Sequence, residues 1–231
     1  DNGIKIFSHD GYKLSDELEA EVEDLVLNAE ITSQHVGYDA IGKAHRIEDA
    51  RGRYIEFAKS TVNSEDLSGL KLVVDCANGA SYFLGPLIFR ELGAQVIKVG
   101  TDPDGYNINR DCGAMDTKAM QQKVLDTGAD LGIALDGDAD RVVFCDRTGK
   151  VIGGDQIMGL CALELQRRQL LRDDTLVVTV MSNYGLYQAM RERGIKIVTT
   201  PVGDRNVIEK LREANYSFGG EESGHLIFKD Y

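Results

Sequence analysis

Short apolar runs alternate with helix-like segments from residue 71 to residue 228, and this alternation restricts the fold more than any other feature. Lys71-Leu72-Val73-Val74-Asp75-Cys76 is almost continuously apolar, as expected of a strand covered on both faces. A helix over 83–92 ended by Gly93, a strand over 95–99, a polar loop over 101–113 and a helix over 118–126 ended at Gly128 follow. The run 131–135 is a third strand that delivers Asp136 at its C-terminal end, and 142–146 with 151–152 reads as a hairpin. The pattern then restarts: helix 155–170, strand 175–181, helix 186–193, strand 195–199, helix 204–214, and strand, loop, strand over 217–228. Strands joined through helices call for βαβ units. The fold class is therefore α/β, with tandem domains whose mixed, mostly parallel sheets are covered by helices and meet near Gly153-Gly154.

Upstream, residues 4–7 read as a short strand and 17–28 as a helix, with Leu18, Val22, Leu25 and Val26 at helical spacing. Ser15 or Asp16 could cap that helix. Residues 41–50 are polar and irregular, and 54–62 reads as a helix opening the next domain. The expected divisions are 1–50, 51–153 with an acidic loop, and 154–231 with a glycine-flanked polar loop.

The chain has 231 residues, 42% of them hydrophobic and 28% charged, a profile of a soluble globular protein. No stretch approaches the roughly 20 apolar residues of a membrane span. Asp1-Asn2-Gly3 is not followed by a basic-then-apolar segment, so no signal peptide is expected. A net charge of -12 with no dense Lys/Arg cluster argues against nucleic-acid binding. An anionic ligand would then need local cations or a metal ion. Cys76, Cys112, Cys145 and Cys161 show no C-x-x-C spacing, which favours free thiols in a reducing cytosol.

Asp136, Asp138 and Asp140 alternate directly after a buried strand. Carboxylates this dense repel one another, and a divalent cation relieves the repulsion. Oxygen donors alone suit a hard cation such as Mg2+. An EF-hand would need Gly at Arg141 and Glu at Arg147. Two-aspartate glycosyltransferase or phosphatase motifs fit less well, and a plain Asp/Gly turn stays open. Arg141 could pair with the loop or clamp a phosphoryl group.

The second constellation is Gly219-Gly220-Glu221-Glu222-Ser223-Gly224-His225. In an extended loop, Glu221 and Ser223 would point the same way and suit vicinal sugar hydroxyls. His225 could shuttle a proton or hold phosphate, and a simple hairpin turn with a surface His is the bland alternative.

Together the two loops resemble the α-D-phosphohexomutase superfamily, with its D-G-D-x-D-R metal loop and G-E-x-S-G-H sugar loop. Asp1-Asn2-Gly3-Ile4-Lys5 resembles a third motif, the D-N-G-x-K that follows the family's catalytic serine loop. Residues 41–47, 52–57, 181–186 and 202–205 are most similar to the branch acting on glucosamine phosphates. The resemblance implies tandem phosphohexomutase-type domains. It also implies a phosphoserine that exchanges its phosphoryl group with glucosamine 6-phosphate, through a bisphosphate, to give glucosamine 1-phosphate. Mg2+ on Asp136, Asp138 and Asp140 is the implied cofactor, and Glu221, Ser223 and His225 would bind substrate. Lys5, Arg141 and His225 would have catalytic roles. Implied partners are a hexosamine phosphate, with no nucleic acid and no membrane; a homodimer is left open, and the implied location is the cytoplasm. The phosphoserine loop is expected before Asp1 and a phosphate-binding domain after Tyr231, which makes the chain an internal piece, inactive alone. Pro201 stands where many relatives carry Lys, so that lysine's role does not transfer. A phosphomannomutase/phosphoglucomutase and a non-catalytic sugar-phosphate binding module are the alternatives.

Overall fold

The computed structural model describes residues 6–28, 37, 40–62 and 66–231. The chain divides into two compact units, Asn2–Ala50 and Arg51–Tyr231.

In the first unit the described helix is α1 (Asp16–Asn28). Ser15 opens it: its carbonyl accepts the Glu19 N–H at 2.9 Å and its hydroxyl accepts the Leu18 N–H at 3.4 Å. Asp16, Glu17 and Glu19 suit the positive end of the helix dipole. No residue of α1 is buried, and Leu18, Leu25 and Val26 are exposed, so the expected apolar stripe covers no core here. Of the strand expected over 4–7, residues 4 and 5 lie outside the described residues, and Phe7 forms only an isolated antiparallel bridge with Lys13.

The second unit begins with α2 (Ala50–Ser60), which starts four residues before the predicted segment and buries Ile55. Next come β1 (Lys71–Asp75), α3 (Leu84–Glu91), β2 (Gln95–Val99), α4 (Lys118–Thr127), β3 (Leu131–Leu135), β4 (Val142–Asp146) and β5 (Val151–Ile152). The sheet order is β2-β1-β3-β4-β5; β1 runs parallel to β2 and β3, while β4 and β5 are antiparallel additions. Side chains alternate across β1. Val73 packs with Met120 and Val124 of α4, whereas Leu72 and Val74 pack with Ile133 and Phe89 on the other face. The helices thus cover both faces, which is why the strands read as near-continuous apolar runs. Gly128 ends α4 in the left-handed conformation.

The second sheet repeats this wiring. It contains α5 (Gly154–Arg167), β6 (Thr175–Thr179), α6 (Tyr184–Glu192), β7 (Lys196–Thr200), α7 (Asp204–Glu213), β8 (Phe218–Gly220) and β9 (Leu226–Phe228). Its order is β7-β6-β8-β9, parallel except for the β8–β9 pair. Met158, Leu186 and Met190 cover Leu176, Val178 and Phe218 on one face, and Val207 and Leu211 cover Val177 on the other. In each sheet the third strand runs through a polar loop into an antiparallel fourth. The acidic loop (136–141) and the glycine-flanked loop (221–225) therefore occupy equivalent places in the two sheets.

Two of the ends that fall short of expectation have a local cause. Helix α5 stops at Arg167 because the chain folds back, with the Leu170 N–H donating to the Leu165 carbonyl at 2.8 Å and Gln169 at a φ of 59°. Strand β6 stops at Thr179 because Ser182 turns its N–H onto the Thr179 carbonyl.

Candidate active site

Buried β3 carries the chain to Asp136, which is only 2% exposed, while Asp138 and Asp140 are exposed. The loop closes on itself: the Ala139 N–H donates to the Asp136 carbonyl at 3.1 Å, with Ala139 at a φ of 64°. Arg141 grips Asp136. Its backbone N–H donates to Oδ1 at 3.0 Å, its Nε to Oδ2 at 3.1 Å, and its guanidinium Nη2 lies 3.0 Å from Oδ2. Burial is the main cause that pushes the Asp136 carboxyl above its ordinary value; Asp138 and Asp140 add to this and Arg141 opposes it.

One carboxylate oxygen each from Asp136, Asp138 and Asp140 lies within 4.8 Å of the others. That spacing and an all-oxygen donor set fit a hard divalent cation, and the exposure of Asp138 and Asp140 leaves its outer side open. The acidic loop can therefore hold a metal ion.

The second loop is a tight turn. The Glu221 N–H donates to the His225 carbonyl at 2.9 Å, and the Gly224 N–H donates to the Glu221 carbonyl at 3.1 Å. It is not extended as expected. Glu221 is 7% exposed, and Ser223 projects from the turn into solvent. Glu221 Oε1 accepts the Gly203 N–H at 2.8 Å, which ties the loop to the start of α7.

The two loops meet. His225 Nε2 lies 3.1 Å from Asp140 Oδ2, and His225 Nδ1 lies 3.2 Å from Glu221 Oε2 without the alignment of a hydrogen bond. Beside them the Val142 N–H, at the start of β4, donates to the Gly224 carbonyl at 3.1 Å. Gly224 has a φ of 103°, and a β-carbon on it would collide with the Val142 backbone. The His225 imidazole, the Glu221 carboxylate and the acidic trio, of which Asp138 and Asp140 face solvent, thus form one cluster, able to hold a cation, carry a proton and accept bonds from hydroxyls. Lys5 lies outside the described residues.

Gly203 was not singled out from sequence as a site residue, although a glycine just before a helix was the available signal. The support beneath the acidic loop also gave no side-chain signal: Gly79 packs on Gly137, and the Ala80 N–H donates to the Gly137 carbonyl at 2.8 Å.

Two family models match the chain. Phosphoglucomutase/phosphomannomutase, alpha/beta/alpha domain II matches residues 52–149, and domain III of the same family matches 153–231. The chain is 53% identical over 232 aligned residues to a phosphoglucosamine mutase of Citrifermentans bemidjiense, covering 100% of this chain and 51% of that protein. The chain thus spans about half the length of the curated relatives it matches. Among solved structures, a phosphoglucomutase/phosphomannomutase family protein from Burkholderia thailandensis superposes with a TM-score of 0.77 at 27% identity, over 94% of this chain and 45% of that one. An Aspergillus fumigatus N-acetylphosphoglucosamine mutase, solved with GlcNAc-6P and magnesium, superposes with a TM-score of 0.57 at 25% identity, over 78% of this chain and 40% of that one.

Proposed function

We propose a function from one premise: this chain belongs to the phosphoglucomutase/phosphomannomutase family. The protein it is part of interconverts glucosamine 6-phosphate and glucosamine 1-phosphate by phosphoryl transfer through a bisphosphate. The observation that carries this reading is the meeting of the two loops, with His225 3.1 Å from Asp140. The 53% identity to a phosphoglucosamine mutase favours the amino sugar over mannose or glucose.

Asp136, Asp138 and Asp140 would hold the cation, and their all-oxygen set favours Mg2+. The aspergillus relative's magnesium supports the same choice. When bound, the ion offsets negative charge on the transferring phosphoryl group. Arg141 fixes the direction of Asp136, and its remaining N–H donors are available to a phosphoryl oxygen. Glu221 is oriented by the Gly203 N–H, and with the open Ser223 hydroxyl it would hold sugar hydroxyls. His225 contacts carboxylates on both sides, which supports a role in binding phosphate or in passing a proton between sugar oxygen and solvent. Lys5 is assigned an electrostatic or acid–base role from its motif. Residues 51–153 form the metal-loop domain and 154–231 the sugar-loop domain. The four free cysteines support a cytoplasmic location, and among the described residues no helix is long and apolar enough to cross a membrane.

The test is a coupled assay on the full-length protein with glucosamine 6-phosphate, Mg2+ and a hexose bisphosphate primer. Turnover is expected, with a higher kcat/KM than for mannose or glucose phosphates. Absence of turnover refutes the reading, and preference for a neutral sugar moves the protein to the phosphomannomutase/phosphoglucomutase branch.

A further inference from the structure

We infer that Asp75 is a positioning residue that sets the acidic loop through the backbone on both sides of Asp136; this rests on the metal reading above. Asp75 is the last residue of β1 and is fully buried. Among the described residues its carboxylate pairs with no cation and is held by backbone N–H groups. A buried carboxylate without a counter-charge is expensive to fold, so a position that keeps one needs a structural reason.

The reason lies in what the two oxygens hold. Oδ1 accepts the Ala77 N–H at 3.0 Å, and Oδ2 accepts the Gly113 N–H at 2.8 Å. Ala77 and Asn78 sit at φ values of 55° and 49°, a region alanine disfavours. The carboxylate therefore pins a strained turn. From that turn one arm reaches Gly137: Gly79 packs on the Gly137 backbone with no room for a β-carbon, and the Ala80 N–H bonds the Gly137 carbonyl. The other arm passes through Gly113, whose neighbour Ala114 donates its N–H to the Leu135 carbonyl at 3.0 Å. The arms also bind each other, since the Asn109 N–H donates to the Ala77 carbonyl at 2.8 Å. Leu135 and Gly137 flank Asp136 in the chain. Asp75 thus fixes the backbone on either side of the most buried of the three proposed metal ligands without touching them itself.

The test compares the unsubstituted chain with Asp75→Asn, which keeps the size but offers one carbonyl oxygen in place of two acceptors. Val207→Ala, a core truncation on the buried face of α7, controls for general loss of stability. Two quantities are read: the Kd for Mg2+ alone by calorimetry, and amide hydrogen exchange at Ala139 and Arg141 without metal. Asp75→Asn is expected to raise the Kd at least about tenfold and to speed exchange by a similar factor, with Val207→Ala leaving both within about twofold. Unchanged exchange in folded Asp75→Asn overturns the inference. So does an equal response in Val207→Ala. If the unsubstituted chain binds no Mg2+ yet Asp75→Asn still speeds exchange, the positioning role stands and the metal reading falls. Should Asp75→Asn not fold, Gly113→Ala carries the comparison. Its β-carbon would lie 2.5 Å from Ala77 Cβ and 2.9 Å from the Leu135 carbonyl oxygen, which displaces one arm with the carboxylate intact. The same two effects are expected, and their absence is equally decisive.

Discussion

Burial, and then the two neighbouring carboxylates, hold the Asp136 carboxyl above its ordinary value against the opposing grip of Arg141. A carboxyl raised in the folded state contributes stability below its ordinary value and loses that contribution as pH climbs through the raised one. The Tm difference, unsubstituted chain minus Asp136→Asn, is therefore expected to fall as pH rises above the ordinary Asp value of about 4 without metal. Excess Mg2+ favours the ionised form, so with it the difference should rise over the same range. A difference flat in pH under both conditions would refute this. Asp140→Asn removes a proposed ligand and a partner of His225 together. It should weaken Mg2+ binding at least about tenfold, equivalent to about 1.4 kcal/mol, read by calorimetry. The clustering of the acidic trio was legible because its members lie within five residues of one another. The Glu221–Gly203 bond was not, because it joins residues brought together only by the sheet. Asp75 was harder still, for its partners are backbone N–H groups that almost every residue type supplies.

At the scale of elements, strands were read more accurately than helix starts. The bounds of β2, β3, β4 and β5 were all evident, since the apolar runs there end at Gly100, Asp136, Asp146 and Gly153. The start of α6 was placed two residues late because Asn183 was not taken as its cap. Asn183 accepts the Leu186 N–H with its side chain at 3.3 Å, so Asn183→Ala should cost about 1 kcal/mol in thermal or urea unfolding. The junction between β4 and the second polar loop is more demanding. Gly224→Ala forces a side chain into the left-handed region and against Val142. A loss of about 1–3 kcal/mol is expected, with weaker ligand binding in the full-length protein. A variant as stable as the unsubstituted chain would show that the backbone bond there can be dispensed with.

For the whole molecule, two sheets of the same wiring were legible as a restarting pattern, but the meeting of their loops was not, since no local signal encodes it. The exposed apolar residues of α1 show the same limit from the other side: helical spacing predicts a buried stripe without saying what covers it. Because Arg51–Tyr231 forms its own compact unit, a chain of 51–231 should melt cooperatively and keep its Mg2+ Kd within about twofold. Loss of cooperative melting would show that Asn2–Ala50 is needed for the fold. The bond from Val142 to Gly224 joins the two loops at their roots, so together they form a single gauge. An enzyme that must offer each end of one sugar to the same donor then has two choices: reshape its grip, or let the passenger somersault. On the proposed function, such a gauge favours the second, with each orientation of the sugar read against the same marks.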